Sequence, residues 1–357
     1  MINTLISPIV AFILTFAITP LVIKIAHTFH LVDDPKKRRH PAQVHSKPVA
    51  RAGGIALLVG ILGASLFLPF NKPVIGLLIA SILTVVIGVI DDYRDVSPYL
   101  RFAANIVIAS IVVLSGVGIP FITNPLGGII HLDTLRISGS FFGTHSLLLW
   151  ADLFAVLWIV WTMNIIGWSS GIDGQMPGFV AITAVILGIL SLKFSAHDIS
   201  QSSVATLAFI TAGAFLGFLP WNFYPQKIMP GYGGKTLAGL LLATIAILSG
   251  GKIGSALLIL AIPMLDAVYA LVRRILNKTS PFKADRYHLH HRLLDLGWSK
   301  RKIALFYWLV SAILGLIALE LTSAQKFYVF VSIGVIVFGV LLWLSILIKH
   351  KNFDNEI

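Results

Sequence analysis

The sequence contains no cysteine, which removes disulfides from any account of its stability and leaves its redox compartment unread. Charge is scarce as well. Asp, Glu, Lys and Arg make up 12% of the 357 residues, whereas a soluble domain carries about 25%. Acidic residues are the rarest class, 15 against 27 Lys and Arg. No internal repeat and no low-complexity tract is present. Nothing basic precedes the first apolar stretch and no small-residue cleavage site follows it, so that stretch is read as a lasting span and not a cleaved signal peptide. What fills the chain is apolar: 57% of its residues, with a mean hydropathy of +0.90. A soluble globular protein is excluded on these grounds.

Eleven apolar stretches approach the length needed to cross about 30 Å of hydrocarbon. They lie at roughly 4–26, 54–70, 74–90, 102–119, 147–166, 176–192, 203–220, 236–249, 254–276, 304–321 and 327–348, with 236–249 the shortest. The expected fold is an all-α polytopic membrane protein of about eleven helices, one integral domain over residues 1–357. Charge sets its orientation. With the N-terminus outside, only five of the 27 Lys and Arg (Lys72, Arg136, Lys193, Lys252 and Lys326) fall outside, one in each outer loop. That is the positive-inside pattern for an N-out, C-in chain in the cell (plasma) membrane. The net charge of +12 is then mostly an inner-face charge, suited to topogenesis and anionic lipid, and no nucleic-acid partner is expected. The largest outer loop, 120–146, suggests a hairpin with strands near Ile129–Leu132 and Leu135–Ser138.

The polar constellations all fall on the inner side, which favours an enzyme site over a transport path through broken helices at the midplane. The span 74–90 runs straight into Asp91, Asp92 and Asp95. Carboxylates at a helix C-terminus face the negative end of the macrodipole and are costly to desolvate near lipid. Three of them there point to a site, either for Mg²⁺ or for removing a proton from a phosphate or hydroxyl.

The first inner loop holds the basic run Lys36-Lys37-Arg38-Arg39-His40, then His45 and Arg51-Ala52-Gly53-Gly54. It suits anionic headgroups, or serves only as a topogenic signal. In the segment Asn164 to Gln175, Asn164, Ser169, Ser170 and Asp173 interrupt an apolar run, and a simple helix-ending turn explains Gly-x-Asp-Gly equally well. Asp285 to Arg292 carries His288, His290 and His291 between two arginines. That donor cluster suits phosphate or diphosphate oxygens, with zinc on Asp285, His288 and His291 as an alternative if the segment is helical, and a solvated, pH-sensitive loop as another. Asp266 lies inside a span and is either functional or a packing hydrogen bond.

Read in order, a basic His/Pro/Gly-Gly loop, Asp91-Asp92-x-x-Asp95, Asn164…Asp173-Gly174 and His288-Leu289-His290-His291 resemble the polyprenyl-phosphate N-acetylhexosamine-1-phosphate transferases. The resemblance runs from about Asp33 to Gly297. It is tightest over Ile90–Pro98 and Pro263–Gly297, and it looks nearer the teichoic acid and O-antigen branch than the peptidoglycan branch. It implies transfer of a sugar 1-phosphate from a UDP-N-acetylhexosamine to polyprenyl phosphate, releasing UMP, for cell-envelope polysaccharide synthesis. It also implies roles. Asp91 and Asp92 would be catalytic, Asp92 and Asp173 would hold Mg²⁺, and Asn164, His288, His290, His291 and Arg292 would bind substrate. A homodimer is a further possibility of the same kind.

The chain departs from the family pattern at four places. Gly167 stands where a second Asn is usual, Ser170 where an Asp is usual, and Gly231 at the family's metal-binding Asp. Arg101 replaces a Lys. Lys235, just after Gly231, offers a cation in place of part of the metal's charge. Fewer oxygen ligands should weaken Mg²⁺ binding. The expectation is therefore an active transferase with a raised Mg²⁺ requirement, which acids restored at 231 and 170 would lower. The alternative is a relative that binds polyprenyl phosphate or nucleotide-sugar without turnover.

Overall fold

The structure is a computed structural model that describes residues 2–36, 43–140, 144–196, 198–249, 253–281 and 285–354. Lys37, Arg38, Arg39 and His40 of the basic run lie outside the described residues.

In hydrocarbon the backbone must satisfy its own polar groups, so apolar stretches become helices despite their Val and Ile content. The helices are α1 (Ile2–Thr28), α2 (Gly53–Ser65), α3 (Lys72–Arg94), α4 (Pro98–Leu114), α5 (Leu149–Trp168), α6 (Gln175–Phe194) and α7 (Ser200–Asn222). They continue with α8 (Gly231–Leu248), α9 (Ile253–Ile259), α10 (Ala261–Leu276), α11 (Leu289–Asp295), α12 (Lys300–Glu320) and α13 (Ser323–Asp354). Local chemistry sets their starts. Asn71 caps α3 by accepting from the Val74 N–H at 3.1 Å. Ser97 caps α4 and Ser299 caps α12 in the same way.

Among the described residues, eight helices are long and apolar enough to cross a membrane, and nine if α9 and α10, bent by 82° at Leu260, form one span. The protein is a mostly helical, multi-pass membrane protein. Every one of the eleven apolar stretches is helical, but α2 and α4, with 13 and 17 residues, reach only about 20 and 26 Å. Helix 2 stops at Ser65, ahead of Pro69, and α4 starts at Pro98 but stops at Leu114, ahead of Gly116 with φ 106°. The bend precedes Pro263, whose missing N–H falls in the first turn of α10, where none is needed.

Three two-stranded ladders decorate the helices. β1 (Val32–Asp33) pairs with β2 (Val49–Ala50). In the outer loop β3 (Phe121–Thr123) pairs with β4 (Ile129–His131), and β5 (Arg136–Ser140) with β6 (Thr144–Leu148). The single hairpin read from the sequence is thus two. Its two strand-like pieces both exist, but each folds back on another neighbour, the first through a turn in which the Asn124 N–H donates to the Gly128 carbonyl and the Gly127 N–H to the Asn124 carbonyl.

Helix α8 lies at the centre, 83% buried, while the lipid-facing α13 is 17% buried. α3 and α5 flank α8, α1 packs along α7, and α6 lies between α7 and α12. α3 and α8 cross at Gly88 and Gly233, where a Cβ on Gly88 would strike the Gly233 backbone. A backbone stitch then fixes the loops at one end. Ala50 bridges to Ile228, the Met229 N–H donates to the Ala50 carbonyl at 2.8 Å, and the Gly53 and Gly54 N–H groups donate to Met229 and Pro230.

Candidate functional site

The loops after α1, α5, α7 and α10, the end of α3 and the start of α4 all reach one cavity of about 340 Å³. Asp91 lines it from the end of α3, Arg101 from the start of α4, Arg51 from the loop after α1, Asn164 from α5 and Ser170 from the loop after it, His288 from the loop after α10, and His290 and His291 from α11. Lys235 enters from the start of α8.

The helix-terminal aspartates have unlike surroundings. Asp92 is almost sealed. Its Oδ1 accepts from the Tyr232 N–H at 3.1 Å and pairs with the Arg51 guanidinium at 3.0 Å, and its Oδ2 accepts from the Ala52 N–H at 3.2 Å. Ala52 holds a left-handed backbone, φ 64°, to present that N–H. Asp91 is fully buried, with Oδ1 taken by the Val96 N–H at 3.1 Å and by Arg101 at 3.4 Å. Its Oδ2 has no hydrogen-bond partner. A buried carboxylate oxygen without a partner is costly, and this one belongs to a residue that lines the cavity.

The histidines are positioned by Asp266. Its Oδ2 meets His288 Nδ1 at 2.8 Å, and its Oδ1 accepts the Leu289 N–H at 2.9 Å, capping α11. A carboxylate only accepts, so the His288 proton sits on Nδ1 and Nε2 is left for a ligand. The His288 and His290 rings stack, with centroids 5.8 Å apart. Burial, with His291, His288 and Lys235 nearby, holds His290 well below the ordinary imidazole range. Burial, with Arg286 and His288, pushes His291 down to about 4. Both rings are thus neutral near pH 7, and the Nδ1 atom of each is buried without a partner.

Arg292 does not line the cavity. It donates to the Tyr287 and Leu341 carbonyls at 2.8 and 2.7 Å and to Ser345 Oγ, tying α11 to α13. The cation that lines this side is Arg274, which with Arg273 grips Asp285 at 2.9 and 2.6 Å. Burial raises the Asp285 carboxyl, but the Tyr287 N–H and the two arginines outweigh it and hold it below the usual range. The zinc alternative fails on this geometry. Asp285 precedes α11, and among the described residues no three His, Asp or Glu side chains form a metal-holding group.

The donors present do not fit the expected Mg²⁺ either. Asp173 does not line the cavity. One of its oxygens pairs with Lys300 at 3.1 Å and the other accepts the Gln226 N–H at 3.3 Å. Both oxygens of Asp92 are taken, as described above. Position 231 is closed to an acid, because Gly231 has φ 67° and a Cβ there would run into the Asp92 carboxylate. Restoring an acid at 231 is therefore blocked by backbone angle and by space, contrary to the expectation drawn from the sequence. Asp91 Oδ2 is the one open oxygen among these three residues, and Arg51, Arg101, Lys235 and Arg274 share its cavity.

The structure thus brings Asp91, Asn164, His288, His290 and His291 onto one cavity, sets Asp92 and Asp173 just behind its wall, and leaves Arg292 outside. Sequence reasoning missed Arg51 as the partner of Asp92 and Lys300 as the partner of Asp173, and neither pairing has a signature at short range.

A many-helix membrane protein with a loop-built cavity of imidazoles, cations and one open carboxylate defines the class of a membrane transferase acting on phosphorylated substrates. A family model described as glycosyl transferase family 4 matches residues 74–250. The decaprenyl-phosphate N-acetylglucosaminephosphotransferase of Mycobacterium leprae (strain TN) is 34% identical, over 84% of this chain and 79% of its own. The probable undecaprenyl-phosphate N-acetylglucosaminyl 1-phosphate transferase of Bacillus subtilis (strain 168) is 27% identical over 100% and 94%. The phospho-N-acetylmuramoyl-pentapeptide-transferase of Staphylococcus epidermidis (strain ATCC 12228 / FDA PCI 1200) is 25% identical over 87% and 97%. The chain belongs to glycosyl transferase family 4 and is a transferase.

Proposed function

We propose that the protein transfers an N-acetylhexosamine 1-phosphate from a UDP-sugar to polyprenyl phosphate at the cytoplasmic face of the cell membrane, releasing UMP. The observation that carries this reading is Asp91 Oδ2, a buried and unpartnered carboxylate oxygen of a residue that lines a cavity together with Arg51, Arg101, Lys235, His288, His290 and His291. In the reaction an oxygen of the lipid phosphate bonds to the sugar-bearing phosphorus. The bond from that phosphorus to the bridging oxygen breaks, and UMP leaves with the bridging oxygen. A lipid phosphate that arrives protonated gives its proton to Asp91, which passes it to the departing UMP or to water. The arginines and Lys235 spread the charge of the acceptor, and the His288–His291 segment faces the diphosphate.

The printed activities of the relatives, which name polyprenyl phosphates and N-acetylglucosamine, support the choice of substrates. The lysine and arginine asymmetry supports an N-out, C-in chain of about eleven helical segments, with the cavity inside. The test is purified protein in detergent with UDP-N-acetylglucosamine and undecaprenyl phosphate, following UMP by a coupled assay and the lipid by mass spectrometry. A lipid-linked sugar diphosphate is expected. Its absence, with UDP-N-acetylgalactosamine giving none either, would remove the transferase reading.

A further inference from the structure

Lys235 is unlike the other cations that line the cavity. Arg51 is tied to Asp92, Arg101 to Asp91 and Arg274 to Asp285. Lys235 makes no hydrogen bond or ion pair among the described residues, although it lies within electrostatic reach of Asp91, Asp92 and Asp33 on one side and His290 on the other. It thus shares one cavity with Asp91 and with His288, His290 and His291. A half-buried ammonium without a counter-ion is expensive, and the missing anion is most simply one that the cavity receives.

The surroundings argue against a divalent cation as its companion. Mg²⁺ binds through one or two carboxylates together with substrate phosphates. Of the acids that line this cavity, Asp285 is claimed by two arginines, and Asp33 accepts from Gln43 Nε2 at 3.3 Å with His45 at 3.8 Å. Asp91 offers one open oxygen with Arg101 against the other. Both oxygens of Asp92 and of Asp173 are engaged, and Gly231 has no side chain to offer. A doubly charged ion would have to enter beside Arg51, Arg101 and Lys235, whose charge repels it.

We propose that Lys235, with Arg51 and Arg101, carries the phosphate charge in this cavity, so that phosphate ligands bind and phosphosugar transfer runs without a divalent metal. The proposal rests on the transferase reading for its turnover half and on the cavity alone for its binding half. Lys235 contacts the non-bridging oxygens of the phosphorus under attack. The bonds made and broken are those already given.

Binding and turnover separate the two halves. Protein stripped with EDTA is assayed for UMP release in EDTA and across a Mg²⁺ titration, and UDP-N-acetylglucosamine and undecaprenyl phosphate are titrated into the same samples by calorimetry. The expected result is turnover and binding that change less than about twofold with Mg²⁺. Lys235→Met should weaken both by about tenfold or more in EDTA, and Lys235→Arg should restore much of the loss. Thermal unfolding of each variant establishes that it folds. Turnover that appears only with Mg²⁺ overturns the proposal and leaves the transferase reading intact. Metal-independent binding that depends on Lys235, with no turnover under any condition, supports the site and removes the transferase reading. Binding that requires Mg²⁺, or that is indifferent to Lys235→Met in a folded variant, overturns the proposal.

Discussion

A carboxylate at a helix C-terminus is held against the macrodipole only if its neighbours offset the cost, and Asp91 and Asp92 are offset by different means. Asp92 has a guanidinium and two backbone N–H groups and no free oxygen. Asp92→Asn keeps one acceptor and strands Arg51, so it should cost roughly 3–5 kcal/mol of stability, seen as a lower unfolding temperature in detergent. Asp91→Asn leaves the fold in place and should cut UMP release by about 10²–10⁴-fold, because it removes the open oxygen as proton acceptor. Equal unfolding temperatures for the two variants would contradict this division. The histidines give a pH signature. His290 and His291 bind protons less readily in the folded chain than in the unfolded one, so the unfolded state gains protons first as pH falls. Stability should be flat above pH 6.5 and decline toward pH 4, where His291 titrates. His291 alone accounts for about 3 kcal/mol at most, and an unfolding temperature constant over that window would rule the effect out. At this scale much of the cavity lining was legible: Asp91 and Asn164 are polar where a span or its end should be apolar, and three histidines crowd one inner loop. The partners of Asp92 and Asp173 were not, because Arg51 and Lys300 reach them only through the fold. The claim on Arg292 followed from its charge, and the structure gives that charge to three groups of its own chain.

Elements were legible where hydrophobic length alone decides. Each apolar stretch became a helix, but the stretch does not say where the helix stops. The short α2 and α4 and the bend at Leu260 depend on Pro69, Gly116 and Pro263 together with their packing. Hairpin pairing in the outer loop was misread because alternation marks strands without naming their partners. One crossing matters most to the site. α3 delivers Asp91 and Asp92, α8 delivers Tyr232 and Lys235, and the two approach at Gly88 and Gly233. Gly88→Leu should force the helices apart, costing about 1–3 kcal/mol and lowering phosphate affinity although residue 88 is not among those lining the cavity. A variant with normal unfolding and normal binding would show that the contact does not position the aspartates.

For the whole molecule, the orientation inferred from charge makes a simple demand. Reporter fusions at residues 230 and 290 should read cytoplasmic and one at 130 external, and a cytoplasmic reading at 130 would separate the loops that the cavity unites. The stitch between Val49–Gly54 and Ile228–Pro230 has a consequence for biogenesis. A ribosome delivers the first of these segments long before the second, and the membrane must hold α1 to α7 while Val49–Gly54 lacks its backbone partners and Asp92 lacks the Tyr232 N–H. The nascent chain therefore has no finished cavity for most of its synthesis. Half-made copies, or copies truncated before α8, lack Lys235 and the backbone stitch that closes it.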